Sequence, residues 1–316
     1  LEDRLSIKVS VIIPTYKREP EVWMKAVESV FAQTFRELEI ILVDDNAPES
    51  KHRTANREYI NSQKIDERLR YIENSRNMGG ALSRNEGIKA AKGDYIAFLD
   101  DDDQYLPDKT EKQLAFMQKH DYDMTFSQMM IYRNGRANDI RDYRDIKAFD
   151  NKTLLRYHIH RQITGTPTFI YKTGFIREIG GFDDAIMGQE FYLMLKTIEA
   201  GAKIGFLDQV TIIVNRSEDS ISFSEKKLIG EKRLYLTRKR YFNILTFSER
   251  SYARFRHYVI YAVACYRIKK YAMVLPYLAV AFLCSPAASF REAAEIFRKR
   301  KLIKTRKGER NERHIK

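Results

Sequence analysis

Four carboxylates in a row, Asp100 to Asp103, close the apolar run from Tyr95 to Leu99. That run has the length and aromatic content of a buried strand, so the acidic cluster is predicted at the carboxyl edge of a sheet. Open α/β sheets bind their ligands at that edge. On an extended chain, side chains alternate between the two faces, and Asp100 and Asp102 are predicted to point the same way. Carboxylates on one side repel each other unless a cation stands between them. Hard divalent ions such as Mg²⁺ or Mn²⁺ take oxygen ligands and usually bring substrate phosphates with them. The alternative for such a run is a solvated acidic loop. Pro107 then opens a predicted helix over 108–119, proline being favoured in a first turn.

The elements that must position this cluster come before it. The runs 9–14 (VSVIIP) and 38–43 (LEIILV) are short and continuously apolar, as strands buried on both faces are. Between them, residues 21–33 carry apolar side chains at helical spacing. Residues 49–68 are polar and read as helical, 69–73 as a third strand, and 81–91 as a helix behind the Gly-containing loop 74–80. The alternation of strands and helices with short loops implies an α/β fold with a parallel sheet covered on both sides. Three strand ends carry polar groups: Thr15 with Tyr16, Asp44 with Asp45, and the acidic run. A single Asp at a strand end is commonly a helix cap, whereas groups at several ends converge on one crevice. The spacings of ordinary dinucleotide and P-loop sites are missing.

Beyond residue 120 the pattern loosens. Residues 123–132 read as a strand, 133–137 as a turn, and 138–160 as irregular and charged. His158 and His160 alternate there as on a strand, and are read as acceptor-side or structural groups. Residues 166–171 read as a strand, 173–180 as a short helix, 189–199 as a helix, and 203–214 as a strand pair or one long strand.

Taken together, these segments resemble the family 2 glycosyltransferases of the GT-A fold. The matching stretches are VSVIIPTYKRE (9–19), VESVFAQTFRELEIILVDDNAPE (27–49), NSRNMGGALSRNEGIKAAKGDYIAFLDDDDQYLPD (74–108) and GTPTFIYKTGFIREIGGFDDAIMGQEFYLMLKTIEAG (165–201). The resemblance implies a Rossmann-like, mostly parallel central sheet, and an inverting, metal-dependent transfer from a UDP-sugar to a hydroxyl of a glycan or lipid-linked, teichoic-acid-like acceptor. It implies that Pro14, Thr15 and Tyr16 line the base and ribose, and that one of Asp44 and Asp45 accepts a hydrogen bond from the uracil. It further implies that Arg84 reaches the base or diphosphate, that Asp100 or Asp101 meets the ribose, and that Asp102 binds Mn²⁺ or Mg²⁺. Glu190 falls where the family carries its general base; a carboxylate in a helix's first turn is also favoured by the dipole alone. Relatives often carry a histidine after the last core strand that completes the metal site. Here 214–222 reads VNRSEDSIS, leaving Asn215, Ser217, Glu218 or water for that place. A dTDP- or GDP-sugar donor is the alternative within this fold.

The charge is unevenly spread. The whole chain carries +13, but residues 226–316 alone carry +18 and the rest −5. These features imply a glycosyltransferase region over 1–225, with a nucleotide half at 8–120 and an acceptor half at 121–225, followed by a basic helical region at 226–316. Lys226–Arg240 reads as a basic amphipathic helix, and 252–270 with 271–285 as a helical hairpin. Residues 271–290 are free of charge, long enough to span a bilayer, but broken by Pro276 and Pro286. A peripheral helix on an anionic membrane surface is the favoured reading. A nucleic-acid-binding module is the rival; large apolar residues among the basic ones favour lipid. Two cysteines without a framework suggest a reducing compartment. The start of the chain shows no apolar leader. The expectation is therefore a cytoplasmic protein peripheral to the inner face of the membrane, with no nucleic-acid partner and with oligomerisation left open.

Overall fold

The computed structural model describes residues 8–133, 135–185, 187–216 and 226–294. Strands β1 (Val9–Thr15), β2 (Leu38–Asp44), β3 (Leu69–Glu73) and β4 (Tyr95–Phe98) alternate with helices α1 (Pro20–Phe31), α2 (Lys51–Ser62) and α3 (Gly80–Ala90). These four strands lie in the order β3-β2-β1-β4, all parallel. The continuous apolar runs have the predicted cause: one face packs against Trp23, Ala26, Val27 and Val30 of α1, the other against Ala81 and Ile88 of α3. A Cβ added to Gly87 of α3 would stand 2.4 Å from Ile12, so the missing side chain lets α3 lie flush on β1.

The second half extends this sheet with changed polarity. Strand β5 (Gln104–Tyr105) and helix α4 (Lys109–His120) follow the acidic run, then β6 (Met124–Arg133), β7 (Arg136–Arg141), α5 (Asn151–Arg161), β8 (Ile170–Lys172), α6 (Thr173–Glu178), α7 (Gln189–Glu199) and β9 (Ile204–Arg216). The order continues β4-β8-β6-β9-β5, with β7 paired to β6. Strand β8 runs antiparallel to both neighbours, and β9 lies parallel to β6. The result is one mixed sheet, parallel in its first half and flanked by helices.

Three expectations change here. Residues 138–160 are not irregular: they hold the end of β7 and all of α5, whose Asp150 caps it by accepting from the Thr153 N–H. His158 and His160 are therefore on a helix and do not alternate as on a strand. Of the two readings offered for 203–214, the single long strand is the one found. The segment 166–168 is a 3₁₀ turn ahead of a short strand.

Among the described residues the helices α8 (Lys226–Lys239), α9 (Phe247–Arg267) and α10 (Val274–Cys284) follow, with a last helical segment at Pro286–Ala294. Thr246 and Glu249 form a reciprocal capping box on α9. Leu234, Phe242, Leu245 and Ala253 join Ile159 of α5 and Phe191 and Leu195 of α7 in one apolar cluster, so these helices dock on the sheet's helical cover. Among the described residues no single helix is long and apolar enough to cross a membrane. The pair Tyr271–Cys284 and Pro286–Ala294 meets that composition but is bent by 106°.

Candidate active site

The acidic run leaves β4 as a turn, closed by the Asp103 N–H donating to the Asp100 carbonyl at 3.1 Å. The alternation expected of an extended chain does not apply; basic side chains hold three of the four carboxylates and a backbone N–H holds the fourth. Arg18 donates through Nε to Asp101 at 3.3 Å and through Nη2 to Asp102 at 2.6 Å. Thr15, at the end of β1, donates its hydroxyl to Asp101 at 2.9 Å. Arg84 of α3 donates to Asp100 through one nitrogen and to Gln189 Oε1 through the other, at 3.1 Å. Asp103 is buried and accepts from the Asn215 N–H at 2.8 Å, while the Asn215 amide donates to the Asp102 carbonyl at 2.8 Å.

The crowding raises the carboxyl pKa values. Burial pushes Asp102 up to about 6, helped by repulsion from Asp101 and Asp100 and opposed by Arg18. Burial, then Asp100 and Asp102, raises Asp103; burial raises Asp101 despite Arg18 and Thr15. Carboxylates this reluctant to ionise are stabilised by any cation placed among them. Among the described residues no three acidic, histidine or cysteine side chains converge as a cage. Mg²⁺ and Mn²⁺ are commonly held by one or two carboxylates together with substrate phosphates. The Arg18 guanidinium on Asp102 stands where such a cation's charge would act. Asn215 lies beside this turn; Ser217 and Glu218 fall outside the described residues.

Asp44 and Asp45 end β2 fully enclosed. Asp44 accepts from the Asn46 N–H and amide, the Asn56 amide and the Tyr71 hydroxyl, at 2.6 to 2.8 Å. Asp45 accepts from the Asn74 and Asn77 amides and the Met78 and Gly79 N–H groups, at 2.7 to 2.9 Å. Four donors apiece fill the lone pairs of both carboxylates. Asp45 thereby holds the loop 74–79 that leads into α3 and Arg84. Pro14 is half-buried and Tyr16 exposed at the mouth of the crevice. Lys17 adopts a left-handed φ of 51°, its N–H tied to Asn46. This bend precedes Arg18, whose side chain reaches the aspartates.

Glu190 lies in the first turn of α7, next to the Gln189 that Arg84 holds. Gly188 caps the helix at φ 74°, where a Cβ would also meet Leu234 at 2.7 Å. Asp183 is paired with Lys196 at 2.7 Å. With Asp184, Met187, Tyr192, Gly230 and Arg233 it lines a cavity of about 230 Å³ between the 183–188 loop and α8. His158 is remote from these groups in role: it stacks on Phe191 with ring centroids 4.5 Å apart, donates from Nε2 to the Phe191 carbonyl and accepts the Ile163 N–H. Burial drives its pKa down to about 3, leaving a neutral structural imidazole. Arg18 and Asp103 were not anticipated. Arg18 depends on the bend at Lys17, which no spacing announces; Asp103 was visible as the fourth carboxylate but had no assigned partner.

Known proteins share this architecture. The chain matches the model of Glycosyl transferase family 2 over residues 10–179. It is 30% identical over 225 residues, covering 70% of this chain and 76% of the relative, to an uncharacterized glycosyltransferase of Methanocaldococcus jannaschii. It is 38% identical over 119 residues, 38% of this chain and 45% of the relative, to TuaG of Bacillus subtilis, a glycosyltransferase named for teichuronic acid biosynthesis. In structure it is similar to S. aureus TarS 1–349 in complex with UDP-GlcNAc, with TM-score 0.57, 18% identity, and 90% of this chain and 92% of that one covered. It is also similar to GalNAc-T7 with UDP, GalNAc and Mn²⁺, with TM-score 0.57, 18% identity, and 85% and 58% covered. These structural likenesses establish the GT-A fold.

Proposed function

The chain belongs to glycosyltransferase family 2, and on that premise we propose that it transfers a sugar from a UDP-sugar to a hydroxyl of a lipid-linked cell-envelope glycan, with inversion, using Mn²⁺ or Mg²⁺. The observation that carries this reading is the Arg84 bridge, which joins the carboxylates ending β4 to the start of α7 where Glu190 lies. In this reading Pro14, Thr15 and Tyr16 line the nucleoside. Asp44 and Asp45 shape the wall behind it, and Arg84, Asp100 and Asp101 meet the ribose and diphosphate. Asp102 holds the divalent ion. When bound, that ion offsets the charge gathering on the departing diphosphate. Glu190 accepts the proton of the acceptor hydroxyl as it attacks the anomeric carbon. The attack comes from the face opposite the diphosphate, so no covalent enzyme intermediate forms.

The donor class is supported by the UDP-sugar and UDP of the two structural neighbours, the metal by the Mn²⁺ of one of them. A polysaccharide acceptor is supported by the name of TuaG. A peripheral position on the inner membrane face is supported by α10 and the helical segment Pro286–Ala294 after it, where Leu275, Leu283 and Phe290 are 70% to 78% exposed. The test is UDP release from a panel of UDP-, dTDP- and GDP-sugars with Mn²⁺, with the product's anomeric configuration read by NMR. Turnover of UDP-sugars with inversion is expected. Equal turnover of a GDP-sugar would overturn the donor, and a retained configuration would overturn the mechanism.

A further inference from the structure

Three arginines stand in register on three adjacent strands. Arg133 of β6 pairs with Arg136 of β7 on one side and with Arg216 of β9 on the other. Directly opposed residues of neighbouring strands present their side chains on the same face, and like charges placed so are destabilising. Arg141 joins them from β7, its Nη1 donating to the Thr164 hydroxyl at 2.5 Å. Arg267 approaches from the last turn of α9. Arg216 is exposed at the end of β9; desolvation by the groups crowded around it and then Arg141, Arg267 and Arg133 depress its guanidinium, while Asp139 acts against them. Burial and Arg133 depress Arg267 in the same way. The fold therefore gathers guanidinium groups at one end of the sheet, an arrangement that suits a multiply charged anion with fork-accepting oxygens.

Its position says which anion. Residue 215 precedes Arg216, and Asn215 holds Asp103 and the Asp102 carbonyl, so the row runs across the sheet into the acidic turn. On its other flank, Arg267 is followed by exposed Lys269 and Lys270 and then by the exposed apolar Tyr271. The cluster thus links the donor crevice to the apolar helix. We propose that Arg133, Arg136 and Arg216, with Arg141 and Arg267, bind a phosphate group of the acceptor: the diphosphate or phosphodiester that joins a glycan to its carrier. This deepens the transfer reading above and rests on it. The phosphate anchors the acceptor while its terminal sugar hydroxyl enters the donor crevice.

The test is calorimetry with inorganic pyrophosphate without divalent ions, so that no binding runs through a metal at Asp102. The full chain is compared with Arg133→Ala/Arg216→Ala and with Arg133→Lys/Arg216→Lys. Charge-assisted hydrogen bonds to two guanidiniums predict a loss of about tenfold or more in the alanine variant, a smaller loss in the lysine variant, and unchanged UDP affinity in both. Removing repelling charges should also leave the melting temperature of the alanine variant equal or higher. Equal pyrophosphate affinity in all three proteins would overturn the proposal. So would a defect confined to sedimentation with phosphatidylglycerol vesicles, because the row would then serve the bilayer surface and not the acceptor. The expected pyrophosphate loss combined with no turnover of any nucleotide-sugar would remove the transfer reading while keeping the phosphate site.

Discussion

Arg84 donates to the side-chain oxygen of Gln189 at 3.1 Å across 105 residues of chain. The contact fixes the first turn of α7 against α3, and through the other arm of Arg84 against the end of β4. Glu190 is thereby placed by the same side chain that holds Asp100. A displacement of either group shifts the other, so on the proposed assignment a single arginine governs donor and acceptor geometry together.

Glu190→Gln tests the base. The substitution keeps size and removes the proton acceptor, so turnover should fall by roughly 10²–10⁴ with UDP affinity retained. The loss should appear in kcat, because proton removal belongs to the transition state. If the carboxylate served only the helix dipole, the change would cost about 1 kcal/mol or less of stability and leave kcat close to normal. Steady-state UDP release beside a melting curve separates the two.

Asp102→Ala should abolish the part of UDP affinity that depends on Mn²⁺ and leave the metal-free part in place. With its pKa pushed up to about 6, the native carboxyl is protonated below that pH, so metal-dependent affinity should decline as pH falls through 6. The same shift has a stability sign. The folded state takes up this proton before the unfolded chain does, so in metal-free protein the ionised carboxylate destabilises most above pH 6. Asp102→Asn should therefore raise the melting temperature at pH 7. Calorimetry showing equal UDP affinity with EDTA and with Mn²⁺ would refute the metal role.

Asp45→Ala should act on stability as much as on binding. It removes the shared acceptor of four donors of the 74–79 loop. The Asn74 and Asn77 amides keep a second acceptor, while the Met78 and Gly79 N–H groups lose the acceptor they have, and a buried unsatisfied group costs about 1–3 kcal/mol. A loss of at least about 2 kcal/mol in urea denaturation is expected, with UDP and a nucleotide lacking the N3–H donor weakened alike. A selective loss of UDP with unchanged stability would instead assign Asp45 to reading the base.

Lys109 is fully buried, its Nζ without a hydrogen-bond partner and 4.2 Å from the Tyr105 ring centre. Burial lowers its pKa to about 7. The unfolded chain holds this proton up to its ordinary value while the folded protein gives it up, so the group's penalty is full below pH 7 and fades as pH rises toward 10.5. Lys109→Met should stabilise the protein by about 1–3 kcal/mol at neutral pH, with the gain shrinking at pH 9. A destabilised methionine variant would show that the ammonium is needed.

The parallel half of the sheet is legible because burial on both faces leaves Ile12, Ile41 and Val43 in unbroken apolar runs. Helix α7 is legible because Phe191, Leu193, Met194 and Ile198 repeat at helical spacing under a continuous cover. Helix α5 is not, since Leu154, His158 and Ile159 are its buried residues and charged groups fill the rest. The alternating histidines of that segment carry a strand's pattern on a helix whose stability comes from tertiary contacts. The acidic turn was located by motif, but its arrangement depends on Arg18 and Arg84, which reach it from 84 and 16 residues away. Such long-range side-chain contacts leave no periodicity to read.

The apolar cluster shared by α5, α7, α8 and α9 makes the helix bearing Glu190 structurally dependent on residues beyond 225. Phe191 and Leu195 face Leu234 and Ala253, and Gly188 leaves room for Leu234 itself. Recombination between relatives at that boundary would pair one parent's α7 with the other's α8 and leave mismatched volumes under the turn that bears Glu190. Exchange of acceptor preference within the family should then require cutting before α5 and carrying everything after it as one block.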